Sequence, residues 1–217
     1  MLSKLARLIA PPLCVGCNRE GIELCVACVE KIDPPLPRCT YCKKHNEKLV
    51  CNECKLTTGV DEIYAAGLYT GILRDVIGGI KFHHQKYMLT PAAKTLVERI
   101  NFKAIDFDVI VPVPTSPSRI RQRGFDHTKE LAMCMSKLLN IEPRSILYRL
   151  NSDRQVGQNR EKRLAQAKKQ FGFSKHAPES VLLVDDVITT GATIAACASL
   201  LRAAGAKEVT VAVLAQD

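Results

Sequence analysis

Two adjacent carboxylates followed by threonines around a glycine form the chain's most chemically loaded stretch, Asp185-Asp186-Val187-Ile188-Thr189-Thr190-Gly191-Ala192-Thr193. Thr189, Thr190 and Thr193 offer hydroxyls, Gly191 offers a flexible and unobstructed backbone, and the residues from Ile194 to Ala204 read as a helix. The free N–H groups at such a helix start make a phosphate site. Asp185 and Asp186 repel a phosphate, so their expected partners are hydroxyls of the same ligand or, through water, a divalent cation. A phosphate at one end and a vicinal diol nearby describe a ribose 5-phosphate. The bland alternative is a strand end with a capped helix, which leaves the second acid and the hydroxyl-rich turn unexplained. A Walker-type loop fits worse, because no Gly-Lys-Ser/Thr follows the glycine. Asn in place of both acids is expected to weaken ligand binding and, by removing two crowded like charges, to leave folding unharmed.

A second chemistry is written in cysteine. Eight of the ten cysteines precede residue 55, as Cys14-x-x-Cys17, Cys25-x-x-Cys28, Cys39-x-x-Cys42 and Cys51-x-x-Cys54. Two residues between sulfurs let both reach one tetrahedral ion, so four such knuckles make two closed structural zinc sites. Consecutive pairing is expected, with interleaved pairing as the alternative. Gly16 lies inside the first turn, where a positive φ would call for glycine. His45 lies inside the second loop and is not needed as a ligand. Asp33 to Pro37, with three prolines, reads as an extended spacer between the knuckle pairs. Cys134 and Cys197 fall on apolar helical stretches and read as packing residues.

The third signal is charge. The chain carries 31 Lys and Arg against 22 Asp and Glu, a formal +9; two four-thiolate zinc sites would bring this to about +5. Arg144 to Lys175 holds nine basic residues and two acidic ones, so a polyanion meets this segment first. Arg154, Arg160, Lys162 and Arg163 are its nucleic-acid candidates, and the stretch 147–170 reads either as a mobile hood closing over the ligand or as a strip for single-stranded nucleic acid. Upstream, Thr115, Arg119, Arg121 and Arg123 follow Pro112-Val113-Pro114 and suit a bidentate diphosphate contact, against the alternative of a solvated basic loop. Lys81, His83, His84 and Lys86 read equally as a phosphate contact or a helix C-terminus favouring cations.

These groups need elements to hold them. Val181 to Val184 is an apolar run without alternation, which predicts a strand covered on both faces of a parallel sheet, with the acids where it emerges. Further strands are expected over Glu62 to Tyr69, Phe107 to Val111, Ile146 to Leu150 and Glu208 to Leu214, and helices over Ile72 to Phe82, Pro91 to Ile100 and from Asp126 to Leu139. The prolines after Val111 are expected to stop that strand and present a stiff loop. Phe171 and Phe173 are expected to return the chain to the core. The boundary falls near Leu56 to Val60, giving a double zinc-binding module over 1–58 and an α/β domain over 59–217. No run of eighteen apolar residues and no secretory signal is read, so no membrane insertion and a cytoplasmic location are expected.

The Asp185 to Thr193 segment resembles that of the type I phosphoribosyltransferases, which bind phosphoribosyl pyrophosphate (PRPP). With the knuckles, Pro112-Val113-Pro114 and Arg121-Gln122-Arg123-Gly124-Phe125 in one ordered line, nearly the whole chain resembles the ComF family. That resemblance implies a zinc module joined to a phosphoribosyltransferase-like parallel sheet flanked by helices, and a part in DNA uptake and natural transformation, with single-stranded DNA and uptake-machinery proteins as partners. It places the PRPP 5′-phosphate on Thr189, Thr190, Gly191, Ala192 and Thr193, and the ribose on Asp185 and Asp186. The pyrophosphate, with Mg²⁺, goes near Thr115 to Arg123. Membership leaves open whether phosphoribosyl is transferred to an acceptor or PRPP is kept only as a ligand of a DNA-binding factor. Asp126-His127 departs from the family's more frequent Asn-Gln, and Gln166 from its frequent Asn.

Overall fold

The computed structural model describes residues 11–150 and 170–217. The chain opens with the cysteine knuckles and two short helices, α1 (Val26–Val29) and α2 (Asn52–Thr58). Then come β1 (Glu62–Leu68), α3 (Gly71–Phe82), α4 (Leu89–Arg99), β2 (Val109–Pro112), α5 (Pro117–Arg123) and α6 (His127–Leu139). The chain continues through β3 (Leu147–Arg149), β4 (Phe171–Phe173), β5 (Ser180–Ile188), α7 (Ala192–Ala203) and β6 (Glu208–Gln216).

Four of the strands form one parallel sheet in the order β1-β6-β5-β2, while β3 and β4 pair antiparallel beside it. The expected unalternating strand is central, and both its faces are covered. Val181 and Leu183 join Val109, Val111, Val211 and Val213 in a core with Ile194, Cys197 and Leu201 of α7. Leu182 and Val184 point the other way, into a core with Ile110, Leu73, Ile77, Leu96 and Met135. Side chains that alternate across a strand thus fill two cores, and each fully buried Leu or Ile contributes about 1.5–3 kcal/mol. The knuckle pairs divide in the same way. Cys14, Cys25 and Cys28 pack on the face of α3 and α4, and Cys39, Tyr41, Leu49 and Val50 on the face of α7.

Several expectations need correction. The central strand does not end before the acids: Asp185 is still in register with Val213, and β5 runs to Ile188. Pro112 is tolerated in β2 because β2 is an edge strand. The pyrophosphate loop expected over Thr115 to Arg123 becomes a short helix from Pro117 onward, with proline at its first turn, and ends on Gly124 at φ 82°. Gly16 does not have a positive φ. It is glycine because a Cβ there would lie 2.8 Å from Cys28 Sγ. Phe171 is buried as expected, whereas Phe173 is 41% exposed. Cys197 is buried, and Cys134 is half-buried beside Thr90. Among the described residues no helix is long and apolar enough to cross a membrane. Arg154, Arg160, Lys162, Arg163 and Gln166 lie outside the described residues.

Candidate functional site

The end of β5 delivers the two acids to different surroundings. Asp186 shares the face of Val184 and meets α3 and α6: Lys81 Nζ lies 2.9 Å from its Oδ1, and His127 Nε2 lies 2.6 Å from its Oδ2. Arg123 donates through Nη1 to His127 Nδ1. Because an arginine can only donate, that bond makes Nδ1 the acceptor and turns Nε2 toward Asp186. Arg123 also donates through Nε to the Lys81 carbonyl at 3.1 Å, tying α5 to the end of α3. Burial alone would raise the Asp186 pKa, but the His127 and Lys81 contacts outweigh it and hold the carboxyl well below the usual range.

Asp185 sits on the opposite face of the strand and accepts the Asp186 N–H at 2.8 Å. Burial and the neighbouring Asp186 charge push its carboxyl up to about 8. The adjacent acids are therefore unlike: Asp186 is held by Lys81 and His127, and Asp185 faces the cavity without an ion pair among the described residues.

Beyond Ile188 the chain turns through Thr189 and Thr190 to Gly191, whose φ of 73° places it in the left-handed region, and α7 begins at once. The Ala192 N–H reaches only Thr190 Oγ1, at 3.5 Å, and no side chain caps the helix. The first turn of α7 therefore keeps amides available to an anion. Thr189 and Thr193 line the same cavity as Asp185 and Asp186, about 380 Å³ in volume, together with Lys81, Thr115 and Arg119. That volume is within the roughly 300–1,000 Å³ of small-molecule sites.

The four diphosphate candidates separate. Thr115 and Arg119 line the cavity. The Thr115 hydroxyl donates to Asp126 Oδ1 at 2.9 Å, and Asp126 caps α6 by accepting the Lys129 N–H. Arg121 is exposed and does not line the cavity, and Arg123 is buried behind it against His127. The basic group at the end of α3 also splits: Lys81 goes to Asp186, Lys86 to Glu130 at 2.5 Å, and His84 Nδ1 to the Arg123 carbonyl at 3.0 Å. Sequence reasoning missed Arg149, Tyr69 and Asp217, which also line the cavity. Arg149 sits 5.0 Å over the Phe171 ring, a pairing of β3 with β4 that no local motif announces.

The cysteines group consecutively, Cys14 with Cys17, Cys25 and Cys28, and Cys39 with Cys42, Cys51 and Cys54, their sulfurs within 4.8 Å of one another. Cys17 and Cys25 sulfurs are 3.7 Å apart, and those of Cys42 and Cys51 3.8 Å. A tetrahedron with metal–sulfur bonds of about 2.3 Å has edges of about 3.8 Å, so both donor sets fit zinc. Each set also has a sulfur that accepts backbone amides, Cys14 from Cys25 N and Cys39 from Cys51 N. Burial would raise these two thiols, but the amides outweigh it and bring both down to about 6. His127, Asp185 and Asp186 also fall within 4.8 Å of one another, although Lys81 and the His127 proton already occupy Asp186.

Comparison with known proteins accords with this arrangement. Residues 145–217 match the phosphoribosyl transferase domain family. The chain is 31% identical over 176 residues to competence protein ComFC of Streptococcus pneumoniae, covering 79% of this chain and 77% of that protein. It is 28% identical over 208 residues to competence protein F of Haemophilus influenzae, covering 87% and 88%. Among solved structures, adenine phosphoribosyltransferase of Saccharomyces cerevisiae aligns with a TM-score of 0.36 at 19% identity, over 58% of this chain and 63% of that one. With a parallel sheet flanked by helices, two four-cysteine groups ahead of it and these relatives along most of its length, the chain belongs to the ComF family of competence proteins.

Proposed function

We propose that the cavity at the ends of β5 and β2 binds PRPP. The 5′-phosphate takes the amides and hydroxyls of Thr189 to Thr193, and the ribose hydroxyls take Asp185. The pyrophosphate lies toward Thr115, Arg119 and Lys81. One observation carries this reading: an acid without an ion pair among the described residues, an uncapped helix start and the cations Lys81 and Arg119 share one cavity. The role of Asp186 is to hold Lys81 and, through His127, Arg123 at fixed positions, rather than to bind the ribose. Mg²⁺ accompanying the pyrophosphate would supply charge neutralisation as the glycosidic C–O bond breaks. Arg119 and Lys81 are placed for the same task from the protein side. Both cysteine groups hold structural zinc, and the division into a metal module over 1–58 and a ligand-binding domain over 59–217 is retained.

In the cell, this reading places the chain in DNA uptake during natural transformation, the process for which its relatives are named. Transfer of phosphoribosyl to an acceptor is one form of the activity. The alternative is a single-stranded DNA-binding factor that keeps PRPP as a ligand, favoured by the basic excess between Arg144 and Lys175.

Calorimetric titration with PRPP and Mg²⁺, followed by incubation with a panel of bases scored for pyrophosphate release, tests both forms. Binding without release favours the ligand-only form, and no binding removes the PRPP reading.

A further inference from the structure

The second cysteine group does not stand apart from the phosphate turn. Tyr41, between the ligating positions Cys39 and Cys42, is 5% exposed and its ring lies over Gly191. A Cβ on Gly191 would fall 2.5 Å from Tyr41 Cε1 and 3.0 Å from Cδ1. The residue after Cys42, Lys43, reaches back with Nζ to the Thr189 carbonyl at 3.0 Å. The spacer before this knuckle is also fastened there, since Leu36 N–H donates to Gln216 Oε1 at 2.7 Å and Arg38 to the Asp217 carbonyl at 3.4 Å. The first cysteine group packs on the opposite face of the sheet, with Ile32, Leu73 and Ile72; neither group lines the cavity itself, and the second touches the turn from behind.

We propose that the Cys39–Cys54 knuckle is a brace behind the anion-binding turn, in which Tyr41 and Lys43 hold Thr189 to Gly191 in the binding conformation, so that metal occupancy of this knuckle and anion binding at the turn are linked. The physical reason is preorganisation. Gly191 is the most permissive residue of the turn and sits in the left-handed region, so the turn has no stiffness of its own at that position. The Tyr41 ring closes the space on one side of Gly191, and the Lys43 bond fixes the carbonyl two residues before it. Tyr41 and Lys43 stand beside ligating cysteines, so their placement depends on the knuckle being closed by its metal. An open knuckle releases both contacts, and the fraction of molecules with a binding-competent turn falls, lowering apparent affinity by that fraction. Linkage is reciprocal: an anion that selects the ordered turn must retain the second metal ion and leave the first unaffected. Tyr41 and Lys43 are positioning residues in this scheme.

The inference rests on the phosphate-binding reading of the turn, and two measurements on the full zinc-loaded chain separate them. Zinc release to a chromophoric chelator should show two phases, and PRPP with Mg²⁺ should slow one by about tenfold, within the usual range of coupling, and spare the other. Tyr41→Ala should abolish that slowing and Tyr41→Phe should restore it. Amide hydrogen exchange in the unliganded protein should rise at residues 190–193 in Tyr41→Ala and in Lys43→Met, with the β5 and β6 cores unchanged. Should wild type bind no PRPP, the exchange data still decide the coupling. Should Tyr41→Ala fail to fold, Lys43→Met and Tyr41→Leu carry the same comparison. Equal slowing of both zinc phases, or unchanged exchange at 190–193 in a folded variant, overturns the proposal.

Discussion

Replacing Asp185 and Asp186 separately by Asn should give opposite results, although the two side chains are adjacent and alike. Asp186→Asn leaves the Lys81 ammonium without its partner and turns an amide toward either Lys81 or the His127 Nε2 proton. Breaking a buried pair by removing one member costs about 3–5 kcal/mol. Lys81 keeps 21% of its side-chain exposure, so water recovers part of this, and about 2–3 kcal/mol is expected. For a chain of this size that lowers Tm by roughly 5–10 °C. The expectation from sequence that neither acid matters for folding is therefore reversed at Asp186. Asp185→Asn removes a carboxyl that burial and its neighbour already push up to about 8, so at neutral pH the Tm should hold or rise. Above pH 8, where the Asp185 carboxyl is ionised, its PRPP affinity should fall about tenfold to a hundredfold, the loss of one charge-assisted bond of about 1.5–3 kcal/mol. The two residues also bend the pH profile in opposite senses. Native Asp185 holds a proton that the unfolded chain releases above about pH 4, so its stabilisation is complete below that and drains away as pH rises toward 8. Asp186, depressed in the native state, contributes above about pH 4 and is lost on further acidification. Scanning calorimetry from pH 3 to 9, with PRPP titrations at pH 9, reads all of these effects. Equal Tm losses in both variants, or an Asp185→Asn profile that still falls between pH 5 and 8, would refute the division of labour.

Four further outcomes are expected. Elemental analysis of protein prepared without chelator should find two zinc ions per chain; iron, or one zinc, would remove the two-site reading. Binding to single-stranded DNA should be weak and sequence-indifferent, and changing Arg160, Lys162 and Arg163 to Ala should flatten the slope of log K against log salt; an unchanged slope places DNA elsewhere or nowhere. Gly191→Ala should weaken PRPP binding at least about tenfold and cost about 1–2 kcal/mol, since the left-handed conformation alone costs that much for an L residue. Gly78→Ala, a helical site with nothing within 4 Å of the new Cβ, should instead stabilise by about 0.5–1 kcal/mol.

The sequence discloses local chemistry well and spatial partnership poorly, for a definable reason. An unalternating run such as Val181 to Val184 reports that both faces are covered, because burial on each face is recorded residue by residue. The Cys-x-x-Cys spacings report metal geometry because both ligands of a knuckle lie within one turn. Nothing comparable marks Lys81 as the partner of Asp186, since they stand 105 positions apart with α4, α5 and α6 between them, and the ion pair exists only where α3 ends beside β5. Arg123 looked like an anion ligand by residue type, yet a guanidinium serves a histidine and a helix C-terminus equally well, and only burial distinguishes the uses. His127 was visible as a departure from the family pattern. Its tautomer, and so its role, depended on seeing Arg123 on one nitrogen and Asp186 on the other.

The same contacts explain why two acids stand where one would bind a diol. A cavity meant for a ligand with several phosphate charges must be lined by cations, and unliganded cations near one another repel. Arg119 and Arg123 show this directly, because burial first and then the Arg119 charge lower the Arg123 pKa, against the pull of Asp186. Asp186 resolves the repulsion by standing among Lys81, His127 and Arg123 and fixing them in place before any ligand arrives. On the PRPP reading proposed above, Asp186 is spent on that task, and the sugar falls to a second acid on the opposite face of the strand. Asp185 takes that position in the proposal, so the doubled acid divides into one residue that organises the site and one that faces the ligand.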